Sequence, residues 1–472
     1  MRPITIDMDK TYLFANFAKP SARQIEWQKT EFYALVSYGL PVFTSAKFGG
    51  GYTSPSVFWP ENIDTDSWCE LAKKAGMRGL VLTCKHYDGF CLWPTAHTDY
   101  SVKSSNWMDG EGDLVRMVAD SCTRAGLKFG VYIAPWDMHE KTYGTGAAYD
   151  DYFCGLLTEL LTNYGDVFCV WLDGICGSTE TRVQKYDWGR YYKLIRLLAP
   201  NAVISFMGPD VRWSGNENGV TRAEEWSPVP AYYGVYEDGT SEPAPKKGGD
   251  MMALDIGSRK AIKGQEKFIW YPCEVSLPIR KHWFFDEEDK YSVKTKDKLL
   301  TLYYNTVGNN SCLMLGLSPD KRGLIGDVET QILTAFGKDI SFMFSGNIVD
   351  RRASVSASSE EPGAAAENIK SANMNAFWRP KADDKTPELC VTFENDEPFD
   401  KIVLSENIAN GQHIEEFEIL YLNEKGKWKT LYEGTSVGYK RICSIKPVKC
   451  RELRFVFRKY RAFFELSRLR IN

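Results

Sequence analysis

The sequence predicts an α/β chain, a (β/α)₈-type barrel followed by an antiparallel β-sandwich. Three features carry the prediction. Four successive stretches repeat one design, an amphipathic helix, a Gly or Pro stop and a short apolar run. Those runs are apolar on both faces, as in a parallel sheet covered by helices on each side. Beyond Gly346 the texture changes to a Ser/Ala/Glu-rich stretch and then to short alternating segments such as LCVTF, KIVLSE, FEILYL and LRFVFR, the pattern of an antiparallel sandwich.

In the first unit Asp64 or Thr65 caps a helix through Ala75, Gly76 stops it, and GLVLTC follows to Cys84. The second runs from Asp113 to Ala125, stops at Gly126, and continues as FGVYIA to Ala134. The third spans Tyr152 to Tyr164, stops at Gly165, and gives VFCVWLDG to Gly174. The fourth spans Trp188 to Leu198, stops at Pro200, and gives AVISF to Phe206. Four further candidates, ALVSYG at 34 to 39, TRAEEW at 221 to 226, KFIWY at 267 to 271 and SCLMLG at 311 to 316, bring the strands to eight. A barrel is favoured over a doubly wound sheet because no glycine-rich phosphate loop follows the first strand. The expected division is a catalytic barrel over 1–345 and a sandwich over 346–472.

Composition excludes several classes. The 58 basic and 62 acidic residues are spread evenly and leave a net charge of −4, with no basic stripe to grip nucleic acid. No run of 18 apolar residues suggests a membrane span. The start MRPITIDMDKTY lacks the order of a secretory signal, so the expectation is a cytoplasmic protein, or a periplasmic or secreted one whose signal has been removed. The twelve cysteines are scattered without a CxxC pair and read as buried thiols. The five histidines, 86, 97, 139, 282 and 413, include no i, i+4 zinc pair, so neither metal nor cofactor is expected. The informative excess is aromatic, 14 Trp, 25 Tyr and 25 Phe. Ring faces pack against the C–H faces of sugars, although an aromatic core would use the same residues.

Barrel chemistry sits at the C-terminal ends of the strands. Three ends carry polar residues: KHYDGFCLWP from Lys85, WDMH from Trp136, and WLDG, where Asp173 closes the most apolar strand with Trp171 two residues before it on the same face. A carboxylate there is placed to face a reacting sugar carbon, or else to cap the next segment.

The segments DSWCELAKKAGMRGLVLTCKHYDGFCLWPT, GLKFGVYIAPWDMH, LTNYGDVFCVWLDG, GPDVRWSGNENG and SCLMLGLSPDKRGLI follow, in order and spacing, those of glycoside hydrolase family 29, which the chain resembles over essentially its whole length. The resemblance implies a retaining exo-glycosidase of α-L-fucosidase type acting on an oligosaccharide or glycoconjugate. It also implies that the sandwich is galactose-binding-like, akin to a carbohydrate-binding module. It puts the nucleophile at Asp173 and, through the segment PCEVSLPIRKHWF, the acid/base at Glu274, in preference to Glu224 or Glu225. His86, Tyr132, Trp171 and Arg212 fall where the family lines the sugar site.

The chain departs from the family pattern at four sugar-contact positions. Ser37 and Tyr87 stand where histidines are expected, and Lys47 and Phe48 replace the first two residues of an E-W-G element. These changes suggest a related α-L-sugar as an alternative to fucose, since unmatched buried polar groups discriminate strongly. The second reading is a carbohydrate-binding, lectin-like barrel with impaired catalysis.

Overall fold

The computed structural model describes residues 11–44, 49–231, 252–289 and 291–472. Eight parallel strands form the first sheet: β1 (Phe32–Val36), β2 (Gly79–Lys85), β3 (Lys128–Ile133), β4 (Val167–Leu172), β5 (Val203–Phe206), β6 (Arg212–Trp213) and, after a two-stranded excursion of β7 (Pro228–Pro230) and β8 (Phe268–Trp270), β9 (Cys273–Pro278) and β10 (Ser311–Leu317). The sheet order β5-β4-β3-β2-β1-β10-β9-β6 is chain order once round a barrel. Its two edges meet where the Phe206 N–H donates to the Val211 carbonyl at 3.2 Å.

The four repeat units form as their patterns dictate. Asp64 caps the helix Thr65–Lys74 by accepting from the Ser67 N–H at 3.0 Å, a contact worth about 1 kcal/mol. Asp113 does the same for Leu114–Ala125, which ends on Gly126 at φ 70°, a left-handed conformation that suits glycine. The third helix begins earlier than its pattern suggests, at Ala147, and the fourth is Trp188–Leu198.

Two expected strands are corrected. Residues 221 to 226 are not a strand, because Arg222 and Glu225 turn inward as an ion pair. The stretch at 267 to 271 does contain β8, but β8 pairs antiparallel with β7 outside the barrel. The barrel takes β6 and β9 instead, two strands that polar residues had concealed: Arg212 in one, Glu274 and Ser276 in the other.

The second sheet is antiparallel, in the order β11-β12-β15-β13-β14, with β16 pairing the far end of β12 on the edge it shares with β11. Its strands are β11 (Ala353–Ala357), β12 (Glu388–Glu406), β13 (Ile414–Leu422), β14 (Trp428–Gly434), β15 (Arg441–Tyr460) and β16 (Leu466–Ile471). The long strands β12 and β15 shift register between Thr392 and Glu397 and again between Phe399 and Lys401; such irregularities bend a strand and let it serve two faces. Trp378, Phe417, Phe455, Phe457 and Phe464 fill the core so enclosed. Val403 and Ile442 pack instead with the barrel's core, so the two halves share apolar surface. All twelve cysteines are free thiols, most of them buried.

Helix Asp327–Phe344 crosses the end of helix Thr65–Lys74 at Gly337, where an added Cβ would collide with the Lys74 carbonyl oxygen. Gly337→Ala is expected to destabilise the protein by about 1 to 3 kcal/mol through overpacking. Gly346→Ala, with open space around it, should leave the thermal midpoint nearly unchanged; equal melting of the two variants would contradict the close approach.

Candidate active site

Parallel strands aim their C-terminal ends at one rim, and there a cavity of about 1080 Å³ opens. Its floor is a row of stacked rings. Trp171 lies 4.8 Å from Phe206 and 5.2 Å from Tyr132, with interplanar angles of 16° and 13°. His86 continues the row beyond Tyr132 at 5.9 Å. Phe206 reaches this position with φ at 64°, in a region non-glycine residues seldom occupy, at the end of β5.

Asp173, one residue past β4, faces the cavity although it is almost wholly buried. Its Oδ2 accepts from the Tyr132 hydroxyl at 2.5 Å and from the Tyr87 hydroxyl, and its Oδ1 accepts from the Ile175 N–H at 3.1 Å. Burial pushes the carboxyl above the ordinary aspartate range, the three donors pull it back, and the charge of Glu217 pushes it up again. No helix follows Asp173, so it caps nothing longer than a turn. The two tyrosines are themselves driven to remain protonated donors, by burial first and then by the charge of Asp173.

The motifs around the site are held by a buried pair. Lys85 Nζ lies 3.0 Å from Asp137 Oδ2 and donates to the Ala134 carbonyl at 2.8 Å, joining the KHYDG element to the WDMH segment that carries Trp136 and Met138 into the wall. His139 turns away to stack on Tyr100 at 3.8 Å.

Of the residues expected at the site, Ser37, His86, Tyr87, Tyr132, Trp171 and Asp173 line this one cavity. Lys47 and Phe48 lie outside the described residues. Arg212 does not reach the cavity: it is fully buried, pairs with Glu225 and donates to the Tyr271 carbonyl at 2.9 Å.

Glu274 is the larger correction. It is the second residue of β9, so the pleat leaves it a layer below the rim, while Ser276, two residues on, lines the cavity. Its carboxyl lies outside the lining, accepting from the Trp171 indole at 2.6 Å and from the Tyr33 hydroxyl. Burial pushes it up to about 7. Glu225 is locked between Arg212 and Arg222, and Glu224 accepts from the Trp226 indole at 2.9 Å.

The carboxylate that does face the cavity alongside Asp173 is Glu217, which lines it from the loop after β6. Sequence reading passed over it, although WSGNENG follows a strand end by only a few residues; the two-residue β6 was too short to announce that end. Trp283, Phe284 and Phe285, after β9, complete an aromatic wall that also went unassigned. Among the described residues no three His, Cys, Asp or Glu side chains gather as a metal site would.

Comparison with known proteins agrees with this architecture. The alpha-L-fucosidase family model matches residues 13–342, and the F5/8 type C domain model matches residues 354–466. The chain is 34% identical over 449 residues to alpha-L-fucosidase 1 of Arabidopsis thaliana, covering 94% of this chain and 85% of the relative. A Ruminococcus gnavus GH29 fucosidase crystallised in complex with fucose superposes with a TM-score of 0.85 at 27% identity, covering 96% of this chain and 94% of that one. A glycoside hydrolase 29 family member from an unknown rumen bacterium gives 0.79 at 31% identity, with 96% and 77% covered.

The electrostatic coupling between the two carboxylates can be measured directly. Glu217→Gln is expected to lower the pH at which the Asp173 carboxyl protonates, and Tyr132→Phe to raise it; a tenfold change in that protonation equilibrium corresponds to about 1.4 kcal/mol. Infrared carboxyl titration, with Asp173→Asn identifying the band, gives the answer. An unmoved band in Glu217→Gln would separate the two carboxylates.

Proposed function

Because the chain belongs to the α-L-fucosidase family, glycoside hydrolase family 29, we propose that its cavity releases a terminal α-L-fucosyl unit with retention, Asp173 acting as nucleophile and Glu217 as acid/base. The observation that carries this reading is that these two carboxylates face one aromatic-floored cavity, with Glu217 close enough for its charge to push the Asp173 carboxyl up. A lectin-like barrel would have no use for a second carboxylate that makes the first harder to ionise.

The apolar face of the sugar packs on the stacked rings of Trp171 and Phe206, leaving hydroxyls to His86 and Ser37 on the walls. Tyr87, Tyr132 and the Ile175 N–H fix both oxygens of the Asp173 carboxylate, so an oxygen lone pair is presented in a set direction. That oxygen attacks the anomeric carbon as the bond to the leaving oxygen breaks, and Glu217 gives the leaving oxygen its proton. The second half runs in reverse: Glu217 takes a proton from water, the water oxygen attacks the same carbon, and the bond to Asp173 breaks. Two inversions give retention.

Such a pair works with carboxyls ~5 to 5.5 Å apart and with the acid protonated near neutral pH. Glu217 stands exposed at the cavity mouth. The glycan is the partner this chemistry requires. Tyr87 spends its hydroxyl on Asp173, so its replacement of a histidine serves the nucleophile as well as the sugar.

Azide assigns the two roles by product. Asp173→Ala should lose on the order of 10³-fold or more in aryl α-L-fucoside turnover and, with azide, yield the β-fucosyl azide by direct displacement. Glu217→Ala should lose about 10² to 10⁴-fold on poor leaving groups and yield the α-fucosyl azide from the glycosyl-enzyme. If Glu274→Ala rather than Glu217→Ala gives the α-azide, the acid/base assignment is wrong.

A further inference from the structure

Glu217 sits on a loop whose two legs are fastened differently. The outgoing leg belongs to the barrel: β6 pairs with β9, and the Ser214 N–H donates to the Glu274 carbonyl at 2.8 Å. Within the loop Asn216 does the stitching, its Oδ1 accepting from the N–H groups of Asn218 at 3.0 Å and Val220 at 3.1 Å. The returning leg, residues 222 to 227, has no strand partner. Its backbone is held from both sides: the barrel half supplies Arg212 to the Trp226 carbonyl at 3.2 Å, Asn310 to the Glu225 carbonyl at 3.2 Å and the Tyr271 N–H to the Ser227 carbonyl at 2.7 Å, and side chains of the sandwich half reach the same stretch. Gln412 donates to the Glu225 carbonyl at 2.9 Å and accepts from the Ser227 N–H at 2.9 Å. Arg441 donates to the Ala223 carbonyl at 2.7 Å, and Ser436 to the Glu225 carbonyl at 3.4 Å. Below them the buried guanidinium of Arg461 lies 3.7 Å from the centre of the Trp226 ring.

We propose that the sandwich half is a working part of the active site, with Gln412 and Arg441 as positioning residues that hold the loop carrying Glu217 over the cavity. This rests on Glu217 being the acid/base. The physical need is plain. A loop carrying a proton donor must be ordered to well under an ångström for transfer, and a segment without a sheet partner is ordered only by what satisfies its backbone. Gln412 is buried, so removing it takes away the acceptor for the Ser227 N–H and the nearest donor to the Glu225 carbonyl, which keeps only the longer contacts from Asn310 at 3.2 Å and Ser436 at 3.4 Å. The displacement is then passed along a short chain segment to Glu217. Asp173, one residue past β4, takes no part in these contacts.

The test is a leaving-group series. kcat/KM reports the first, glycosylating half of the reaction, in which a 2,4-dinitrophenyl leaving group needs almost no proton and an alkyl leaving group needs one fully. In Gln412→Leu and in Arg441→Met, kcat/KM for 2,4-dinitrophenyl α-L-fucoside is expected to stay within about threefold of the parent, while methyl α-L-fucoside falls by about 10- to 100-fold. Arg441→Lys, which keeps a donor, should recover most of the methyl fucoside rate. Arg441→Met keeps the test open if Gln412→Leu fails to fold, and thermal melting of each variant reports that separately. Equal losses on both substrates, or none on either, would overturn the proposal. Glu217→Ala, measured alongside, keeps the layers apart. If it discriminates between leaving groups while the Gln412 and Arg441 variants do not, the sandwich has no part in proton transfer. If Glu217→Ala itself shows no discrimination, the acid/base assignment falls and takes the proposal with it.

Discussion

A carboxylate that must stay charged inside an apolar cavity is the constraint on which the rest of this site depends. Asp173 is buried beside Trp171, and burial pushes its carboxyl toward the protonated form. Three donors on three segments oppose that: Tyr87 after β2, Tyr132 on β3 and the Ile175 N–H after β4. Their convergence requires adjacent parallel strands in a fixed register, with Tyr132 opposite Trp171. The buried Lys85–Asp137 pair fixes the loops that follow β2 and β3 at the same height. Catalytic geometry and barrel register are therefore one requirement.

Beneath the cavity floor a second layer follows the same rule with a different outcome. Glu274 is buried as deeply as Asp173, but its neighbours Tyr33 and Trp171 close it off from substrate. Raised to about 7 by burial, it anchors the indole that forms the floor. Two carboxyls on inward-facing positions thus differ in access to the cavity through depth. A residue near the start of a barrel strand supports, and a residue past its end reacts.

The junction of barrel and sandwich is polar as well as apolar. Glu31, at the start of β1, pairs with Lys440 of the sandwich at 2.6 Å and accepts from Tyr439. Asn310 donates to Gln412 at 3.2 Å and accepts from the Tyr439 N–H at 2.7 Å. Buried hydrogen-bonded contacts of this kind fix orientation more than they add stability, because unpaired they would be costly. The active-site rim inherits that fixed orientation through the segment after Glu217.

Local pattern alone makes the repeating helix–stop–strand units legible, because the 3.6-residue stripe and the glycine or proline at each stop are local properties. It also determined the sandwich texture and the place of Asp173, since WLDG announces a charged residue at the end of an apolar run. The resemblance to family 29 added His86, Tyr132 and Trp171, all of which line the cavity. What only the tertiary structure decided is what local pattern cannot carry. β6 and β9 hold buried polar residues, so their hydrophobic signal is weak although Arg212, Glu274 and Ser276 are all buried. Whether Glu274 or Glu217 meets the cavity turns on a strand's register and on how far each residue stands along it, and Arg212 looks the same in sequence whether it holds a sugar or Glu225. Depth and direction are set by partners distant in the chain, and no spacing between neighbouring residues encodes them.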